Sequence, residues 1–128
     1  MRTDRSLYTL VTFVAILVVT PVSAAGAGRD LAADARSLVH ALAAGDFNKP
    51  EAEFTVQMQQ VLPAAKLKEV WRKLTVQVGT YEKTAETRSL PYHGYTIVLV
   101  KTIFKKTPLW TKVVYDGDGK IAGLYFRP

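Results

Sequence analysis

Apolar positions in this chain repeat first with a helical period and then, from Thr80 onward, with the period of a strand. Leu31, Ala35, Leu38, Val39 and Leu42 fall at offsets 0, 4, 7, 8 and 11, one stripe of a helix that Asp30 can cap and Gly45 ends. A second helix is expected after Asp46-Phe47, capped by Asn48 with Pro50 in its first turn, and with Phe47, Phe54, Met58 and Val61 along one side. Pro63 opens a third, which runs to about Val78 and is closed by Gly79; its buried stripe is Leu67, Val70, Trp71, Leu74 and Val78. Tyr81, Lys83, Ala85 and Thr87 then alternate with Glu82, Thr84, Glu86 and Arg88, a polar strand suited to a sheet edge. Pro91 and Gly94 bracket a turn. Three strands follow, Tyr95 to Phe104, Leu109 to Tyr115 and Ile121 to Phe126.

The turns between these strands are Lys105-Lys106-Thr107-Pro108 and Asp116-Gly117-Asp118-Gly119-Lys120. Three helices followed by four antiparallel strands is an α+β arrangement, with the helices packed on one face of a curved four-stranded sheet. On the strand Tyr95 to Phe104, Tyr95, Ile97, Leu99 and Ile103 share one face and Val98, Val100 and Phe104 the other. A strand apolar on both sides expects cover on both. The helices supply one cover, so Val98, Val100, Phe104 and Trp110 are the candidates for a homodimer interface on the other.

At 128 residues and 48% hydrophobic, the chain has room for one domain with an ordinary core and not for two. Arg2 and Arg5 precede an apolar run from Leu7 to Val19, Pro21 breaks it, and Val22-Ser23-Ala24 supplies small residues. That is the layout of a cleaved secretory signal, too short for a comfortable membrane span. The expected division is therefore a signal peptide over 1–24, a spacer over 25–29 and a single α+β domain over 30–128, bacterial in style and periplasmic or secreted. The chain has no cysteine, which excludes disulfides, a thiolate metal site and a thiol nucleophile.

The formal charge is +6. Lys101, Lys105, Lys106 and Lys112 interleave with Phe104 and Trp110, superficially like a nucleic-acid surface. Export argues against nucleic acid and makes envelope polymers or lipid head groups the natural anionic counterparts, with membrane contact at most peripheral. The preferred reading is plainer: lysines on outer strands keep sheet edges from pairing.

Candidate chemistry is sparse. Asp116-Gly117-Asp118 begins like a calcium loop, but Lys120 and Arg127 stand where further oxygen ligands belong, so a hairpin turn is expected and no metal or cofactor. There is no G-x-S-x-G elbow. His40 lies opposite the apolar stripe of its helix, which leaves His93, in Tyr92-His93-Gly94-Tyr95, as the histidine worth weighing. Asp46 is the acid near an apolar helix end, where the ordinary role is a cap. Trp71, Tyr81, Tyr95, Tyr115 and Tyr125 bring rings with polar tips; they either wall a pocket for a small amphipathic ligand or a segment of another exported protein, or fill the core outright.

The order of Gly45-Asp46-Phe47, then Leu62-Pro63 with Leu67, Glu69, Val70 and Trp71, then Gly79, then Val113-Val114-Tyr115-Asp116 through Gly119-Lys120-Ile121-Ala122-Gly123-Leu124 to Phe126, resembles a small bacterial family, domain of unknown function 3887. That family is similar to the nuclear-transport-factor-2-like, or cystatin-like, superfamily of cone-shaped α+β folds. The resemblance spans roughly Leu31 to Pro128. It implies a sheet curved around helices, a pocket at the open end of the cone and pairing through the outer sheet face. Enzymes of the superfamily place a histidine–aspartate pair, or an aspartate with a tyrosine, deep in the cone, and the first arrangement would fall to His93 and Asp46 in a small lyase or isomerase. The superfamily also holds plain binding modules, so fold alone leaves function open. An exported, non-catalytic binding or interaction module is the expectation.

Overall fold

The computed structural model describes residues 29–128. The expected signal peptide, and all of the spacer but Arg29, lie outside the described residues. Helix α1 is Leu31–Ala43, capped as its sequence predicts: the Asp30 carboxylate accepts from the Ala33 N–H at 3.0 Å, and Gly45 leaves the helix at φ +84°. Helix α4, Ala64–Val78, begins after Pro63 and ends at Gly79. Between them the single helix expected from sequence is two short ones, α2 (Asn48–Ala52) and α3 (Val56–Val61), which makes four helices rather than three among the described residues.

The break has a cause in the sheet. Residues 53–55 leave helical geometry to meet the start of the last strand: Ile121 N–H donates to the Glu53 carbonyl at 2.8 Å and Thr55 N–H to the Ile121 carbonyl at 3.0 Å, a short parallel bridge at Phe54. Thr55 then caps α3, its hydroxyl accepting from Met58 N–H at 3.1 Å. Phe54 is buried. The cap of α2 comes from Asp46, whose Oδ1 accepts from Lys49 N–H at 3.1 Å, and not from Asn48.

Four strands, β1 (Tyr81–Tyr92), β2 (Tyr95–Phe104), β3 (Pro108–Tyr115) and β4 (Ile121–Arg127), form one antiparallel meander in the order β1-β2-β3-β4. β1 is longer than its polar alternation suggests. Pro91 stays within it, paired with Thr96, which an edge strand tolerates. The turn shrinks to His93 and Gly94, both at positive φ (+49° and +83°), the pattern of a tight two-residue hairpin. The β3–β4 turn is closed by Asp116, whose Oδ1 accepts from Asp118 and Lys120 N–H groups, both at 2.9 Å. That carboxylate is committed to its own loop.

The helices cover one face of the sheet. On that face lie Val98, Val100, Thr102 and Phe104 of β2 with Leu109, Thr111, Val113 and Tyr115 of β3, all buried. Trp71 of α4 packs on Phe104 and Phe126 with ring centres 5.6 and 6.0 Å apart. Two threonines sit in this core without penalty. Thr102 Oγ1 donates to the Val100 carbonyl at 3.1 Å, so Thr111 must donate the 2.8 Å bond between the two hydroxyls.

Two expectations are corrected by the register. Val98, Val100 and Phe104 are 0%, 0% and 2% exposed and belong to the helix-covered core, so they have no surface to offer a second copy. Trp110 points to the opposite, open face with Ile97, Leu99 and Val114. Alternation along β2 separates two apolar sets but does not say which one the helices take; Trp71 against Phe104 decides it. Likewise Lys101 and Lys112 stand on β2 and β3, the two central strands, and Lys105 and Lys106 in the turn between them. They guard no sheet edge.

Candidate functional site

The cavity that combines apolar walls with converging polar groups lies beneath α1. Asp34, Leu38 and Ala41 fall on one face of that helix by their spacing, and with Ser37 they form one wall. Lys49, Pro50 and Glu53 supply a second wall from α2 and the residue after it, and Tyr115 and Ile121, at the two ends of the β3–β4 hairpin, a third. The cavity measures about 220 Å³. Ordinary ligand pockets run from about 300 Å³ upward, and about 150 Å³ suffices for benzene, so this space suits a molecule of few heavy atoms.

Arg29 borders it and holds three places together. Its Nη2 and Nε donate to Asp34 Oδ2 at 2.6 and 3.1 Å, its Nη1 donates to the Gly119 carbonyl at 3.0 Å, and Glu53 lies 3.6 Å away. The bond it donates to Asp34 pushes the Arg29 pKa up, with partial burial opposing it. These side chains are more than a third exposed, so each ion pair is worth at most about 1 kcal/mol. They orient more than they stabilise.

Tyr115 is the chemically unusual member. It is 1% exposed, and no other protein group hydrogen-bonds its hydroxyl; with Thr87 Oγ1 it is one of two such buried side-chain atoms among the described residues. A buried hydroxyl left unpaired costs about 1–3 kcal/mol. Burial pushes its pKa well above the ordinary tyrosine range; Asp34 and Glu53 add to the rise and Arg29 opposes it. The group is therefore a neutral donor, in a residue that lines the cavity, with no acceptor from the protein.

The other residues singled out from sequence do not assemble there. Trp71 is core. Tyr81 packs edge-on against Phe104 at 6.3 Å and against His40 at 6.4 Å, on the rim of the same core. Tyr95 and Tyr125 lie on the open face of the sheet, exposed. Of the five rings only Tyr115 lines this cavity. His93 is the first residue of the β1–β2 turn, exposed and edge-on to Tyr92, while the Asp46 carboxylate caps α2; no hydrogen bond or ion pair joins them. Arg29, Asp34 and Glu53 carry no motif: one falls in the expected spacer, one on the polar side of a helix and one in a break the helical period does not show.

A family model described as protein of unknown function (DUF3887) matches residues 35–124, from the middle of α1 into β4. The chain belongs to that family. The match takes in most of the cavity wall, including Ser37, Leu38, Ala41, Lys49, Glu53, Tyr115 and Ile121, and leaves Arg29 and Asp34 just outside it. No curated protein and no solved structure matches the chain.

Proposed function

We propose that this chain is an exported, non-catalytic binding module that holds a small ligand in the cavity beneath α1, with Tyr115 as its polar anchor. The observation that carries the reading is the buried, partnerless Tyr115 hydroxyl beside an apolar cavity edged by Arg29, Asp34 and Glu53. The ligand this chemistry fits is compact and mainly apolar, with one acceptor for the phenol. An open antiparallel sheet with helices on one face is the arrangement a nuclear-transport-factor-2-like domain requires, and it supports membership of that superfamily.

Replacing Tyr115 with Phe tests the anchor. The ligand-free protein is expected to gain about 1 kcal/mol, because the variant no longer buries an unpaired hydroxyl. Its pH profile should change too. Unfolded tyrosine ionises near pH 10 while Tyr115 resists, so the folded state holds more protons above pH 10 and wild-type stability falls there as pH rises. The Phe variant should lose less stability in that window. Small-molecule screening by thermal shift should find compounds that stabilise wild type and not the variant; a variant less stable than wild type at pH 7 would show that the hydroxyl is already satisfied.

Export rests on the Arg-flanked apolar run from Leu7 to Val19 and the small residues that follow it to Ala24. Intact-mass analysis of protein recovered from the envelope or medium should give a species lighter than 14.2 kDa by residues 1–24. A 14.2 kDa species there would refute processing.

A further inference from the structure

We propose that the open face of the sheet is a docking surface for an anionic phospholipid bilayer. The register puts Lys83, Arg88, Lys101, Lys112 and Arg127 on this face, through the pairs Lys83–Ile103, Arg88–Leu99, Lys101–Trp110, Lys112–Tyr125 and Trp110–Arg127. The carboxylate held among them is Glu86, 2.8 Å from Arg88. The cations lie over rings: Arg88 and Lys101 stand 5.4 and 5.8 Å from the centre of Trp110, and Lys112 stands 5.4 Å from that of Tyr125.

The same face carries a second signal. Leu90, Tyr92, Tyr95 and Tyr125 are 42%, 56%, 44% and 51% exposed, four of the most exposed large apolar side chains in the described chain, and their register places all four here. Rings with polar tips set among lysines and arginines are the composition of a membrane–water interface, where the ring sits at head-group depth and the cation meets phosphate. No helix among the described residues is long and apolar enough to cross a membrane, so contact by this face is peripheral.

Charge separates this occupant from the alternatives. A two-fold pairing of the sheet would set these five cations against the same five of a second copy, and like charges would repel. A soluble polyanion satisfies the cations but offers Leu90 and the tyrosine rings no less polar medium than water. A bilayer of anionic lipid satisfies both.

The test uses the full chain with Trp71→Phe, which leaves Trp110 as its sole tryptophan. Its emission should shift to the blue on vesicles of phosphatidylcholine mixed with phosphatidylglycerol and not on phosphatidylcholine alone, and added salt should reverse the shift. Adding Lys101→Gln, Lys112→Gln and Arg127→Gln, with an unchanged denaturation midpoint as the folding control, should weaken binding about a hundredfold, each cation near the surface contributing about fivefold. Reading Trp110 localises the contact, because insertion by residues 7–19 alone would leave that emission unchanged and would overturn the proposal. Equal response to neutral vesicles, equal binding by the neutralised variant, binding to dextran sulfate but not to vesicles, or a dimer with Trp110 shielded from a soluble quencher would each overturn it as well.

Discussion

Trp71→Ala is expected to remove about 4 kcal/mol of stability, the largest loss from any single side chain discussed above. The indole is 8% exposed and bridges Phe104 of β2 and Phe126 of β4, so it ties a central strand and an edge strand to α4 at once. A hole of this size cannot close, because the sheet beneath is held by its own ladder and cannot collapse toward the helix. Single domains of this length are stable by about 5–15 kcal/mol in total, so the variant should unfold at a much lower denaturant concentration. Val70→Ala, one residue earlier and 37% exposed, should lose well under half as much. If the two variants lost the same amount, Trp71 would not be the centre of the core.

Gly79→Ala should cost about 3 kcal/mol for a different reason. Gly79 adopts φ +91° and ψ 177°, a conformation essentially restricted to glycine. A Cβ there would lie 2.9 Å from Lys105 Cβ and 3.1 Å from the Lys106 amide nitrogen, where the β2–β3 turn is docked against the end of α4. That docking is made by the Lys106 N–H bond to the Val78 carbonyl and the Lys105 N–H bond to the Thr80 carbonyl, both 2.9 Å. Strain and collision act together. Gly94 provides the control, because at φ +83° it has nothing within 4 Å of a Cβ; Gly94→Ala should carry the strain alone, about 1 kcal/mol. Equal midpoints for the two variants in chemical denaturation would show that the contact with Lys105 and Lys106 is soft.

These two sites also show what the chain makes legible and what it hides. Gly79 and Gly45 are readable as helix ends because the conformation that stops a helix there excludes most side chains. The four strands are readable because runs of 7 to 12 residues rich in β-branched and aromatic side chains, set off by turn residues, have few competitors. The break at residues 53–55 is not, since Phe54 and Met58 keep helical spacing across it and the force that breaks it comes from Ile121, 66 residues on. The face of β2 is ambiguous for a related reason: both of its rows are apolar, and only the helix that lands on one of them distinguishes core from surface. The cavity is harder still. Tyr115 has no local mark of a binding residue, and Arg29, Asp34 and Glu53 come together only because α1, the helix break and the β3–β4 turn converge.

The short bridge at Phe54 also governs how the cavity can breathe. Glu53 and Ile121 belong to two of its walls, and the Ile121 N–H bond to the Glu53 carbonyl fastens those walls to each other through main chain. Swinging the β3–β4 hairpin away from α2 would break that bond and the one from Thr55, so those two walls act as a single rigid jaw. The remaining side is spanned by the Arg29 guanidinium, held by Asp34 and the Gly119 carbonyl through side-chain bonds that are partly open to water. Opening that side would therefore need only side chains to move, and exposed side chains change rotamer in picoseconds to nanoseconds where domains take microseconds or longer.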